Sequence, residues 1–269
     1  MAKNREERKQ IFEDLVLNFK KSGLENGEFD KLGILVNLGC EKYQQINNKS
    51  SITNKIEWHN TNTAHFMLEM NPGSKPLIFI FGSAYKPGGG VVSGSKAQEE
   101  DIALHSSWYF QARHNDDFFK MDHKDYIYSD YAVYTEKSLL MTDKYNQPLT
   151  EYKTISLITA AAPNLSAYKT NKIEVDSQKL YHAYEKRVRG LLNFAEQKGH
   201  KELVLGPWGC GVFGLSPTIT ANIFKRCLEE NLYTGTVIFS ILDLNMFNEY
   251  KDIIEPDTLK YQTVKKISL

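Results

Sequence analysis

Residues 76–101 read PLIFIFGSAYKPGGGVVSGSKAQEED. Within them, Leu77-Ile78-Phe79-Ile80-Phe81 is a continuous apolar run, which predicts a strand buried on both faces. Pro87 then leads into Gly88, Gly89 and Gly90. Three residues without Cβ atoms let a ligand touch the main chain and permit positive φ. The spacing next predicts a helix from about Ala97 to Phe110, whose first turn carries Gln98, Glu99, Glu100 and Asp101. Acidic residues in a first turn also suit the helix dipole with no functional role at all. The place of this loop, directly after a buried strand, is nonetheless where α/β sheets bind their ligands.

A second loop of the same kind lies downstream. Glu202–Leu205 reads as a short strand, residues 206–214 as a glycine-rich turn, and Ile219–Leu232 as a helix. The turn contains Gly209-Cys210-Gly211-Val212-Phe213-Gly214, which is G-x-G-x-x-G. Successive backbone N–H groups in such a loop cradle a diphosphate without any Lys or Arg. The dinucleotide fingerprint also asks for an acid closing the next strand, and Asp243 follows the apolar run Val237–Leu242. A dinucleotide domain has two halves, however, and only one helix and one strand clearly follow this loop. A nucleotide-dependent oxidoreductase is therefore disfavoured, whereas a diphosphate ligand is not.

The remaining periodicities fill in an α/β pattern. Ile11, Phe12, Leu15, Val16 and Phe19 form one stripe along residues 3–22, predicting an N-terminal helix. Short strands are expected near Leu32–Val36 and His65–Glu69, and longer ones at Tyr126–Tyr134 and Thr154–Ala162. Ser177–Gln197 predicts an amphipathic helix with Leu180, Tyr184, Val188, Leu191 and Leu192 inward. Strands alternating with helices argue for an α/β sandwich. The expected organisation is an N-terminal helical extension at 1–30 and one domain at 31–269.

Composition removes several function classes. Lys+Arg and Asp+Glu each count 33, so nothing argues for general nucleic-acid binding, and an anionic ligand must be held locally. No apolar run is long enough to span a membrane, and no signal peptide is expected. Cys40, Cys210 and Cys227 are few and widely spaced, which predicts reduced thiols in a cytoplasmic protein. The seven histidines are scattered without metal-ligand spacing, so neither a metal nor a cofactor is expected. Trp208, Phe239 and Phe247 are read as packing residues, with stacking on a ligand ring as the other role for the two phenylalanines.

The two loops together resemble a known family. Pro87-Gly88-Gly89-Gly90 followed by Gln98-Glu99-Glu100 is similar to the GGG-x(6–8)-QEE signature of poly(ADP-ribose) glycohydrolases. Ser106-Ser107, Tyr128-Ser129, Ala160–Asn164 and LGPWGCGVFG at 205–214 resemble the microbial type, in its order. The resemblance implies a macrodomain-like three-layer α/β/α sandwich with a mixed central sheet. It implies that Glu100 is the catalytic acid and that Glu99 hydrogen-bonds the ribose next to the scissile bond. It further implies that Gly88, Gly89, Gly90, Gln98, Gly209, Cys210, Gly211, Val212, Phe213 and Gly214 contact ADP-ribose, with Phe213 against the distal ribose. Three positions depart from the family: Ile80-Phe81-Gly82-Ser83-Ala84 lacks the usual Asn, Tyr134-Thr135-Glu136-Lys137 lacks an Arg, and Leu215 replaces an Asn.

The expected chemistry is cleavage of an O-glycosidic ribose bond through an oxocarbenium-like transition state. The leaving oxygen needs a proton from a carboxyl whose pKa burial or a neighbouring charge has raised. Glu100 has Glu99 beside it and the ligand's diphosphate within the same site. Two further functions share these residues: an ADP-ribose reader that does not cleave, and a mono-ADP-ribosyl-protein hydrolase.

Overall fold

Leu77 and Phe79 face one hydrophobic core, and Ile78 and Ile80 face another. The same period-2 split recurs in Leu203 and Leu205 against Val204, and in Val237 and Phe239 against Ile238. Strands with two apolar faces require helices on both sides, and the chain supplies them.

The computed structural model describes residues 3–24, 33–39, 51–121 and 125–256. In chain order its elements are α1 (Arg5–Lys21), β1 (Gly33–Asn37), β2 (Ile56–His59), α2 (Thr63–Glu69), β3 (Pro76–Phe81), α3 (Gln98–His105), α4 (Trp108–Ala112) and α5 (Asp116–Phe119). Then follow β4 (Tyr131–Thr142), β5 (Pro148–Ala160), α6 (Leu165–Thr170), α7 (Ser177–Gln197), β6 (Glu202–Leu205), α8 (Pro217–Glu229), β7 (Thr236–Ser240) and α9 (Leu244–Ile254). The strands form one mixed sheet in the order β1-β4-β5-β3-β6-β7-β2. β1, β4 and β5 pair antiparallel, and the other neighbours pair parallel. Residues of α7, α8 and α9 fill the core on one face; residues of α1, α2, α3 and α4 fill the core on the other. This is the three-layer α/β/α sandwich with a mixed central sheet and a helix at its N-terminal end.

Adjacent β3 and β6 run parallel, so the glycine loops that follow them emerge at the same edge of the sheet. The end of β7 opens there too, because it is parallel to β6.

Several expected boundaries move, each for a local reason. The segment His65–Glu69 is not a strand but part of α2. Asn62 caps that helix, its side chain accepting from the amides of Ala64 and His65. The single helix expected from Ala97 to Phe110 is two, α3 and α4. Ser106 leaves the helix to form a bridge with Leu140, and Ser107 accepts from the Leu139 amide through Oγ. The strand expected at Tyr126–Tyr134 starts at Tyr131, and Tyr128 lies in a turn at φ 63° rather than on a strand. Buried Arg187 pins that turn, donating to Tyr128 O (2.8 Å), Asp130 Oδ1 (2.8 Å) and Ala161 O (3.1 Å). The boundary at residues 30–31, Leu32, Cys40 and His123 lie outside the described residues.

Candidate active site

A cleft of about 530 Å³ opens at the carboxyl ends of β3, β6 and β7. Its wall includes Gly89, Gln98, Glu99, Glu100, Gly209, Gly211, Val212 and Phe213, so both glycine loops meet in one place. Asn62, Phe81, Ser83, Lys96 and Met246, none of which the sequence marked as ligand contacts, also line it. Lys96 is the one Lys or Arg among the lining residues, in accord with a cradle built from backbone.

Glu99 and Glu100 are 4% and 7% exposed. Each has one oxygen fixed by the main chain. Glu99 Oε2 accepts from the Ser83 amide at 2.8 Å, and Glu100 Oε1 accepts from the Gly90 amide at 2.9 Å. The other oxygens, Glu99 Oε1 and Glu100 Oε2, are buried and have no hydrogen-bond partner. Two unpaired carboxylate oxygens at a buried position are costly unless a ligand meets them. Burial first, and the adjacent Glu100 charge second, hold the Glu99 carboxyl well above the usual carboxylate range. The amides of Ser83, Gly88 and Gly89 pull it the other way without prevailing.

The three glycines of the first loop have separate tasks. Gly89, at φ 54°, faces the acids; a Cβ there would lie 2.7 Å from Glu100 Oε1 and 3.0 Å from Glu99 Oε2. Gly90 supplies the amide to Glu100. Gly88, at φ 69°, lies under the Tyr109 ring, which a Cβ would meet at 2.9 Å. Gln98 turns its amide away from the cleft. Its Oε1 accepts from Phe81 N (2.9 Å) and its Nε2 donates to Phe79 O (2.8 Å), tying the start of α3 to the end of β3.

In the second loop, Gly211 and Val212 are exposed, and nothing lies within 4 Å of a Cβ built on Gly211. Gly209 is tight at φ 80°, against Leu215 and Ala162. Gly214, at φ 71°, packs on Ser166 instead of lining the cleft. The Cys210 thiol points inward, 3.1 Å from Thr220 Oγ1 and 3.5 Å from the Tyr250 hydroxyl, and burial raises its pKa. Phe213 lies on the wall with Tyr128 beside it, ring centroids 6.1 Å apart.

The aromatic residues read as packing are packing. Trp208 is 1% exposed and donates through Nε1 to Ala160 O. Phe239 stacks on Trp58, and Phe247 meets the same ring edge-on. Asp243 caps α9, its carboxylate accepting from Met246 N, and its place on the wall follows from that turn. Of the departures from the family pattern, Ser83 presents its amide to Glu99, Leu215 is buried beneath the second loop, and Glu136 and Lys137 are exposed on β4. Asn62 caps α2 and reaches Asp101, and the second contact exists only in the fold. Among the described residues no group of three or more His, Cys, Asp or Glu is placed to hold a metal ion, and no helix is long and apolar enough to cross a membrane.

A family profile described as "Microbial-type PARG, catalytic domain" matches residues 10–143, which include the first glycine loop and both acids. No curated protein matches the chain. Solved structures match over most of its length and so extend to the second loop. Poly(ADP-ribose) glycohydrolase from Thermomonospora curvata is 24% identical, with TM-score 0.78, covering 93% of this chain and 100% of that one. The same enzyme bound to the inhibitor ADP-HPD is 24% identical, with TM-score 0.74, covering 91% and 98%. Poly(ADP-ribose) glycohydrolase from Deinococcus radiodurans in complex with ADP-ribose is 26% identical, with TM-score 0.66, covering 77% and 86%. With its signature loop, its acid pair and its fold all accounted for, the chain belongs to the microbial-type poly(ADP-ribose) glycohydrolase family and has that family's macrodomain-like fold.

Proposed function

We propose that this chain is a glycosidase that hydrolyses the O-glycosidic ribose bonds of poly(ADP-ribose) and releases ADP-ribose. The observation that carries the reading is the pair of unpartnered, buried carboxylate oxygens, Glu99 Oε1 and Glu100 Oε2, in the floor of the cleft. In this reading, backbone N–H groups of Gly209–Gly214 take the diphosphate, and the terminal ribose lies over Gly89. Glu100 protonates the leaving oxygen as the glycosidic bond breaks. Its carboxylate then takes a proton from the water that attacks the anomeric carbon, which restores the acid. Glu99 holds the ribose hydroxyls. Burial first and the Glu100 charge second raise the proton affinity of Glu99. Gln98, on the wall, and Cys210, behind it, act through the frame of the site, by fixing β3 to α3 and the second loop to α8 and α9.

A reader that only binds ADP-ribose has no use for two buried acids held without partners, since each costs stability. The deciding experiment incubates the protein with poly(ADP-ribose) and separates the products by chromatography. Release of ADP-ribose is expected. Tight binding without release makes the protein a reader, and release only from singly modified protein makes it a mono-ADP-ribosyl hydrolase.

A further inference from the structure

Glu100 is held by the Gly90 amide, so the position of the acid depends on whatever fixes the glycine loop. The far end of that loop is fixed by α1. Arg5 Nε donates to Ser93 O at 2.7 Å, and Arg8 Nε donates to Ser95 O at 3.0 Å. Gly94, at φ 74°, approaches the start of α1 so closely that a Cβ would fall 2.1 Å from Arg5 O. The near end is held through an aromatic pair. Phe12 packs edge-on against Tyr109 with centroids 4.9 Å apart, and the Tyr109 ring lies against Gly88.

The same helix also grips the first turn of α3. Arg8 Nη2 lies 2.7 Å from Asp101 Oδ1, with side-chain exposures of 8% and 12%. Asp101 Oδ2 accepts from Asn62 Nδ2 at 2.6 Å. Asp101 directly follows Glu100 and lines the cleft. Arg8 Nη2 meets Asp101 as a buried ion pair without hydrogen-bond geometry, Asn62 holds the other oxygen, and losing the arginine strands a charge.

We infer that α1 is a positioning element of the active site, in which Arg8, assisted by Arg5 and Phe12, holds the first glycine loop and the first turn of α3 so that Glu100 keeps its place beside Gly89. The inference rests on the glycohydrolase reading for its effect on rate, and on the contacts above for its effect on the loop. Neither arginine lines the cleft; Arg5 acts through the Ser93 carbonyl, and Arg8 through the Ser95 carbonyl and Asp101.

The test compares the wild-type 269-residue chain with Arg8→Met, Arg8→Lys and Arg5→Ala. Turnover on poly(ADP-ribose), ADP-ribose affinity by calorimetry and amide hydrogen exchange over residues 88–95 are measured for each. In Arg8→Met, kcat should fall at least about tenfold, since small misplacements of reacting groups have large effects, while KM and ADP-ribose Kd move less than about threefold. Exchange over 88–95 should quicken. Arg8→Lys keeps a charge opposite Asp101 but not the forked contact, so it should recover part of kcat. If Arg8→Met does not fold, Arg5→Ala decides, because Arg5 is exposed and loses only the Ser93 contact. It should lower kcat by about twofold to fivefold and quicken exchange over 91–94. Unchanged exchange and kcat in the folded variants overturn the inference. So does a loss of ADP-ribose affinity in step with kcat, which would place α1 in binding. A wild-type chain that releases no ADP-ribose defeats the glycohydrolase reading, and the exchange measurements then still decide whether α1 holds the loop.

Discussion

The Gly90 amide donates to Glu100 Oε1 at 2.9 Å, so the first glycine loop and the acid proposed for catalysis form one mechanical unit. Gly89, one residue earlier, comes so close to both acids that no side chain fits between them. The site is therefore sensitive to changes of a single methyl group.

Gly89→Ala tests that closeness. At φ 54° an Ala costs about 1–2 kcal/mol of conformational strain, and its methyl would sit 2.7 Å from Glu100 Oε1. The expected outcome is a folded protein of modestly lowered Tm with turnover reduced by about a hundredfold or more. Retained turnover would show that the acids are not held where the structure has them.

Glu100→Gln keeps size and the Gly90 contact but cannot deliver a proton. Turnover should fall by about 10²–10⁴-fold with ADP-ribose affinity little changed. Glu99→Gln should chiefly weaken substrate positioning, seen as a rise in KM together with a smaller fall in kcat. If Glu99→Gln alone were inactive with binding intact, the acid would be Glu99.

The raised pKa of Glu99 makes a stability prediction. A carboxyl held above its unfolded value keeps a proton in the folded state that the unfolded chain has already released. Its contribution is full below the ordinary carboxylate range and is lost as pH rises through the folded pKa. Glu99→Gln removes that dependence, so the Tm of the variant should gain on wild type as pH increases from mildly acidic upward. Parallel Tm curves for the two proteins would contradict it.

Gly211→Val adds a side chain where nothing lies within 4 Å, on the exposed rim of the cleft. Stability in a denaturant titration should be within about 0.5 kcal/mol of wild type. ADP-ribose affinity should fall at least about tenfold, because the valine occupies the space of the diphosphate. Unchanged affinity would reduce the second loop to a structural turn.

Arg187→Met would break the ion pair of buried Arg187 with partly exposed Asp130, which keeps Lys186, and would take a donor from Tyr128 O and Ala161 O, releasing Tyr128 from its φ 63° turn. A loss of about 2–4 kcal/mol is expected from urea unfolding, chiefly from the two carbonyls. A much smaller loss would mean that the turn holds without the arginine.

The amino-acid sequence by itself determined the layers and the chemistry. Residues 77–81 and 203–205 are apolar on both faces, and each run leads into a glycine loop, which is enough to place two loops at one sheet edge and an acid pair beside the first. Helix Ser177–Gln197 was legible to its ends because its apolar stripe is strong and Asp176 caps it. Segments whose geometry depends on distant partners were not legible. Tyr128 leaves the strand because Arg187, 59 positions away, takes its carbonyl. Helix α3 stops at Ser106 because β4 offers Ser106 and Ser107 a better backbone partner. Gln98, at the start of α3, and Cys210, within the second loop, turn inward once β3, Thr220 and Tyr250 are in place. Local residue type sets period, caps and candidate acids, because those arise from neighbours along the chain. Only tertiary packing decides which polar atoms find partners, and here it leaves one oxygen of Glu99 and one of Glu100 without any.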